Sequence, residues 1–150
     1  MHDAETTPED LALLTAVEAG KLAAARAALG DGASPDALRV VSEDHGCQSS
    51  TPALYTACQS GNEPMTRLLL SAGANPNAIW KRRGMLDFEE RPCLIAAFEH
   101  PEIVRLLLES GADPNQPSLW GEDCSNYTSP LSHARGKPEL ECLLKRYGAR

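Results

Sequence analysis

No stretch of this chain approaches the roughly 18 consecutive apolar residues of a membrane-spanning helix, so no membrane partner is expected. The N-terminus, MHDAETTPED, lacks the basic-then-apolar order of an export signal; if Met1 is the native start, a cytoplasmic location is expected. The five cysteines are odd in number and contain no Cys-x-x-Cys pair, so neither a disulfide framework nor a zinc knuckle is indicated. Glycine-rich phosphate loops, dinucleotide fingerprints, nucleophile elbows and His-Glu-x-x-His zinc helices are all missing. No cofactor and no enzymatic activity are therefore expected. Positive charge is scarce: 14 Lys and Arg against 21 Asp and Glu leave a net charge of −7. That argues against a nucleic-acid partner, whose phosphates demand a basic footprint. It favours a basic protein partner through long-range steering. Aromatic residues make up only 5% of the chain, so the position of each one matters.

What the chain does contain is repetition. The stretch Arg91 to Asn115, RPCLIAAFEHPEIVRLLLESGADPN, reads as two short helices and a stop. Pro92 stands near the first start and Pro101 near the second, where a missing N–H costs nothing. Ile103, Leu106 and Leu107 recur at helical spacing, widened by Val104 and Leu108. Gly111 can take the left-handed conformation that ends a helix. Helices this short are unstable alone in water. They need neighbours of their own kind.

The signature returns as LLLSAGANPN at Leu68 and LLLESGADPN at Leu106, with weaker copies ALGDGASPD at Ala28 and LLKRYGA at Leu143. The terminal glycines Gly32, Gly73, Gly111 and Gly148 are separated by 41, 38 and 37 residues. Small-residue helix starts precede them, with Ala16, Ala57, Ala96 and Ala134 in matching positions. A two-helix unit with such a period means a solenoid.

These units resemble ankyrin repeats, whose period is about 33 residues and whose units open on Thr-Pro-Leu-His-x-Ala. The resemblance implies an all-α repeat solenoid in which ankyrin-type helix pairs are joined by extended β-hairpin fingers. One domain spans residues 1–150, with units at about 7–37, 51–78, 91–116 and 129–150 and fingers at 37–50, 77–91 and 115–128. The family histidine is missing: Tyr55, Leu94 and Ser132 stand at or beside its place. Unit three also lacks the glycine between its helices, and Glu99-His100-Pro101 replaces it. A regular hydrogen-bond network from unit to unit should therefore not be assumed. Met65, Leu68, Leu69 and Ala72 form the expected buried stripe of one second helix. Leu140, Leu143, Leu144 and Tyr147 are expected to close the core at the end. Cys58, Cys93 and Cys142 fall at apolar helix positions, whereas Cys47 and Cys124 lie in loops.

Ankyrin arrays bind proteins along their fingers and the adjacent ends of the first helices, which the resemblance carries onto Glu18, Ala19, Gln59, Ser60, Phe98, Glu99 and Arg135. All three fingers here exceed the family length, and insertions in solenoids map to one face, often the binding face. Both tryptophans, Trp80 and Trp120, fall in fingers, as do Met85, Leu86, Phe88 and Tyr127. Trp and Tyr often anchor interfaces. The same rings can instead fold back and pack the long hairpins together. Phe98 is expected to face the groove, with packing beneath the third finger as the alternative. Lys81-Arg82-Arg83 reads as a contact for an acidic group or as a solvated hairpin tip. Glu43-Asp44 and Glu122-Asp123 give the flanking fingers an acidic character that suits a basic ligand. His45 and Cys47 are too few for a metal site and lack a closed catalytic shell.

The candidate binding residues are thus Trp80, Arg82, Arg83, Phe98, Trp120 and Tyr127, with Glu43, Asp44, Glu122 and Asp123 at the acidic tips. The favoured function is protein binding by a free-standing module, monomeric when unbound, of the kind that serves as an inhibitor or immunity protein against a basic toxin or enzyme. A scaffold or adaptor subunit is the alternative. Cys/His enzyme chemistry is the least favoured.

Overall fold

In a computed structural model, the structure describes residues 6–122 and 125–150. Among them the chain forms eight α-helices, one short 3-10 turn at Asp44–Gly46 and six strands. Each of the four units is a helix pair: α1 (Pro8–Ala19) with α2 (Leu22–Gly30), α3 (Ala53–Ser60) with α4 (Glu63–Ser71), α5 (Cys93–Ala96) with α6 (Pro101–Glu109), and α7 (Pro130–His133) with α8 (Pro138–Arg146). The connections are the hairpins β1 (Leu38–Ser42) and β2 (Gln48–Pro52), β3 (Ile79–Arg83) and β4 (Phe88–Pro92), and β5 (Ser118–Gly121) and β6 (Asn126–Thr128).

Local chemistry sets the helix ends. Thr7 caps α1 by accepting from the Asp10 N–H at 3.1 Å, and Asn62 caps α4 by accepting from Met65 at 3.2 Å. At the far end of every second helix the Gly-Ala step makes the same six-residue closing bond. Ala33, Ala74, Ala112 and Ala149 donate to Ala28, Leu69, Leu107 and Leu144, each at 3.0 Å. The preceding glycines, Gly32, Gly73, Gly111 and Gly148, take φ of 105°, 100°, 99° and 97°. An L side chain there would be strained.

The turns within the pairs come in two kinds. Units one and two use left-handed Gly20 and Gly61, with Lys21 and Asn62 donating to Ala16 and Ala57 at 2.9 and 3.1 Å. In units three and four, His100 and Lys137 instead donate to Ala97 and Ala134, both at 2.8 Å. Losing one turn residue therefore shifts the small buried residue of unit three from the expected Ala96 to Ala97. It also leaves α5 and α7 only four residues each.

The core runs through all four units. Leu13, Leu54, Met65, Leu69, Leu94, Ile103, Leu107, Leu140 and Leu144 are buried. Burial of such side chains contributes roughly 1.5–3 kcal/mol each. The expected stripes need correction at their ends: Ala72 is exposed, Leu68 is half-buried, and Tyr147 remains 37% accessible instead of sealing the last unit. Thr66 is the buried polar member of α4, its hydroxyl donating back to the Asn62 carbonyl at 2.9 Å.

A regular hydrogen-bond ladder joins the units, at residues other than the missing histidine. The residue after each Gly-Ala donates its N–H to a side chain of the unit before. Asn75 donates to Asp36 Oδ1 at 2.7 Å, Asp113 to Asn77 Oδ1 at 2.6 Å, and Arg150 to Asn115 Oδ1 at 2.9 Å. In the first unit, which has none before it, Ser34 donates to Asp10 of its own helix at 2.7 Å. The acceptors close the Gly-Ala-x-Pro-(Asp/Asn) segments, which explains why that segment repeats. Asn77→Ala removes a central rung and turns the exposed Asp113 N–H to water. The expected loss is about 0.5–1.5 kcal/mol, measured as a lowered urea midpoint with an unchanged slope.

Candidate functional site

The three fingers do not project separately. Their strands pair edge to edge into one antiparallel sheet in the order β1-β2-β3-β4-β5-β6. The hairpins are long enough to meet: Gln48, Ser49 and Ser50 of the first oppose Arg83, Arg82 and Lys81 of the second. Phe88, Glu89 and Glu90 then oppose Gly121, Trp120 and Leu119 of the third. Side chains alternate between the two faces of such a sheet. Register therefore sorts the candidates.

The inner face looks toward the first helices. It carries Arg39, Trp80, Arg82, Glu89, Arg91, Ser118, Trp120 and Thr128. Arg39 grips Glu18 of α1 through two bonds of 2.8 and 2.9 Å. Trp80 stacks on Tyr55 of α3, with ring centroids 6.0 Å apart and planes 20° from parallel, and the Arg91 guanidinium lies over the indole at 5.7 Å. The Trp80 ring is half-buried between the sheet and α3, the arrangement of the packing alternative. Tyr55 is buried, which pushes its phenol pKa up against the opposing pull of Arg91.

Trp120 behaves differently. It is 41% exposed and walls an open notch of about 420 Å³ between the second and third hairpins and α7. Arg82, Glu89, Arg91, Ser118, Thr128 and His133 contribute the polar lining. Arg82 pairs with Asp87 at 2.9 Å and approaches Glu89 at 3.8 Å, while Arg91 holds Glu89 at 2.7 Å. Partial burial, aided by the nearby Arg91 charge, depresses the His133 pKa and so favours the neutral imidazole. The Ser118 hydroxyl is buried and has no hydrogen-bond partner among the described residues.

Other candidates are placed elsewhere. Phe98 does not face the groove: it lies just after the short α5, is 7% exposed and meets His133 of α7 edge-on at 6.3 Å, beside the start of α8 at Lys137 to Leu140. Lys81-Arg82-Arg83 is not a hairpin tip. It lies in β3, and the tip is Gly84 to Asp87, closed by Gly84 donating to the Asp87 carbonyl at 2.8 Å. Lys81 pairs with Glu90 at 3.4 Å. Arg83 is the member of the run without an ion pair among the described residues, and it sits on the outer face with Tyr127. Tyr127 is 71% exposed. Glu43, Asp44 and Glu122 are exposed or half-exposed at the flanking tips, and Asp123 lies outside the described residues. The structure thus brings Trp80, Arg82 and Trp120 together and separates them from Arg83, Tyr127 and the acidic tips.

Met85 and Leu86 are absent from the sequence-derived candidates, yet they are the most exposed large apolar residues described, at 73% and 79%. The signal for them is an apolar pair directly after Gly84 in a hairpin turn. Among the described residues, no cluster of three or more His, Cys, Asp or Glu is placed to hold an ion. No described helix is long and apolar enough to cross a membrane.

A family model of ankyrin repeats in three copies matches residues 13–118. The chain belongs to the ankyrin-repeat family. The fourth helix pair of this ankyrin-repeat protein lies beyond that match. The chain is similar to cyclin-dependent kinase 4 inhibitor B of Mus musculus, 35% identical over 104 residues, which covers 68% of this chain and 72% of the relative. The rat protein of the same name is 33% identical over 103 residues, covering 67% and 71%. A human ankyrin repeat and MYND domain-containing protein 1 is 38% identical over 74 residues, 46% of this chain and 7% of that protein. Ankyrin repeats mediate protein binding, which is the class of function this protein shares.

The cysteines of this ankyrin-repeat protein give a direct check of the packing. Cys58 and Cys93 are buried side by side, and burial together with Cys58 raises the Cys93 thiol well above its ordinary pKa. Cys142, expected in the core, is exposed on α8, because Leu140, Leu143 and Leu144 take the inward positions. Cys124 lies outside the described residues. A thiol-specific reagent should label Cys142 in the native protein while Cys58 and Cys93 stay unreacted. Denaturation without reductant should release all five thiols. Rapid native labelling of Cys58 or Cys93 would contradict the α3–α5 packing.

Proposed function

We propose that the protein is an inhibitory binding module that grips a basic protein, an enzyme or toxin, with the inner face of its finger sheet. The observation that carries this reading is Trp120, a large ring left open on the wall of a preformed notch. Large aromatic rings of this kind are enriched among interface anchors, which become desolvated when the partner seats on them. The relatives named as kinase inhibitors favour inhibition over scaffolding. The net charge of −7 and the acidic tips at Glu43, Asp44 and Glu122 favour a basic partner.

Immobilised protein should recover one stoichiometric partner of basic character, whose own activity falls as the complex forms. Its association rate should drop as salt rises, because steering is screened beyond about 8–10 Å. Recovery of a multi-subunit assembly whose activity is unaffected would favour the scaffold reading.

A further inference from the structure

Among the described residues, the first strand of the sheet has a side with no paired strand. β1 is outermost in the strand order, and its register with β2 runs unbroken from Leu38 opposite Pro52 to Ser42 opposite Gln48. At the two ends of that ladder, Glu43 donates to the Cys47 carbonyl at 2.8 Å and Ala53 donates to the Ala37 carbonyl at 3.0 Å. Hydrogen-bonded pairs alternate along an antiparallel ladder. Arg39 and Val41 therefore turn their backbone groups toward β2. Leu38, Val40 and Ser42 turn theirs outward.

Natural edges are blunted by Lys, Pro, bulges or shortness. β1 has none of these. It is five residues long, LRVVS, and Leu38, Val40 and Val41 are 44%, 51% and 43% exposed. Its one charge, Arg39, is held by Glu18. The opposite edge, β6, is only three residues long.

The edge is also complementary to itself. A two-fold axis through Val40 sets Leu38 opposite Ser42 of the second copy, Arg39 opposite Val41, and Val40 opposite Val40. No like charges meet, a β-branched pair sits at the centre, and every outward backbone group of Leu38, Val40 and Ser42 finds a partner. Such an isologous contact closes on itself.

We propose that β1 pairs antiparallel with β1 of a second copy of this chain about Val40, joining the two sheets edge to edge. This departs from the monomer expected of the unbound chain. Because the register keeps like faces on the same side, both inner faces stay open and point the same way. The contact is small against the roughly 1,200–2,000 Å² of a stable interface, so the dimer forms only at high concentration. It does not depend on the function proposed for the inner face.

Sedimentation from low micromolar to near-millimolar concentration, with amide exchange at each end of the range, tests it. The expected result is a shift from monomer to dimer, with the amides of Leu38, Val40 and Ser42 slowing as concentration rises. Those of Arg39 and Val41 should be slow throughout. Val40→Lys would set two ammonium groups against each other on the axis. It should remain monomeric with an unchanged urea midpoint. A monomer at every concentration overturns the proposal. So does a dimer that leaves the Val40 amide unprotected, or protection of these amides by a different protein alone.

Discussion

Leu107→Ala should lower the free energy of unfolding by about 2–5 kcal/mol, and Leu69→Ala by a similar amount. Both side chains are fully buried at equivalent places in α6 and α4. In each case the carbonyl of the same residue accepts the closing bond of its Gly-Ala turn. The substitution leaves that bond intact but empties the space beneath it. Leu68→Ala, in the adjacent half-buried position, should cost less than Leu69→Ala. Urea unfolding of the three variants decides the matter. A loss below about 0.5 kcal/mol at both Leu69 and Leu107 is the behaviour of exposed sites, and would contradict the packing of α4 and α6 into the core.

The second large effect separates the two tryptophans. Trp80→Ala should lower the urea midpoint, by about 2 kcal/mol in stability, because the ring is sandwiched between Tyr55 and Arg91. Trp120→Ala should leave stability within about 0.5 kcal/mol, since the ring walls an open notch. It should instead cost about 2 kcal/mol or more in partner affinity, roughly thirtyfold. Titration of the recovered partner against each variant, after its urea midpoint is known, reads both effects. If Trp120→Ala destabilises the fold as much as Trp80→Ala, both rings are hairpin packing and the notch is not a binding site.

The contrast between these rings shows where sequence reading stops. Gly73, Gly111 and their Leu-Leu-x-x-Gly-Ala surroundings recur along the chain, so the helix pairs and their ends are legible in the residues alone. The first hairpin is legible too, from Val40 and Val41 and the turn after Glu43. The merging of the hairpins into one sheet is not, because inter-hairpin register depends on how far neighbouring units rotate. Without register, Trp80, Arg82 and Trp120 cannot be separated from Arg83 and Tyr127, which sit on the other face. Phe98 is misplaced for a related reason: losing one turn residue at Glu99-His100-Pro101 rotates the end of α5 by a fraction of a turn. The ladder at Asp36, Asn77 and Asn115 is legible in principle. Its acceptors recur in every strong copy of the repeat, at places unrelated to the missing family histidine.

The most direct test of a partner held on the inner finger face is oxidative footprinting of the protein alone and in complex with the captured partner. Trp120 and Cys142 are both accessible, reactive side chains, one on the finger sheet and one on α8. The expected result is that Trp120 loses most of its labelling in the complex while Cys142 keeps its own. Protection of Cys142 with full labelling of Trp120 would place the partner on the second helices and contradict the account.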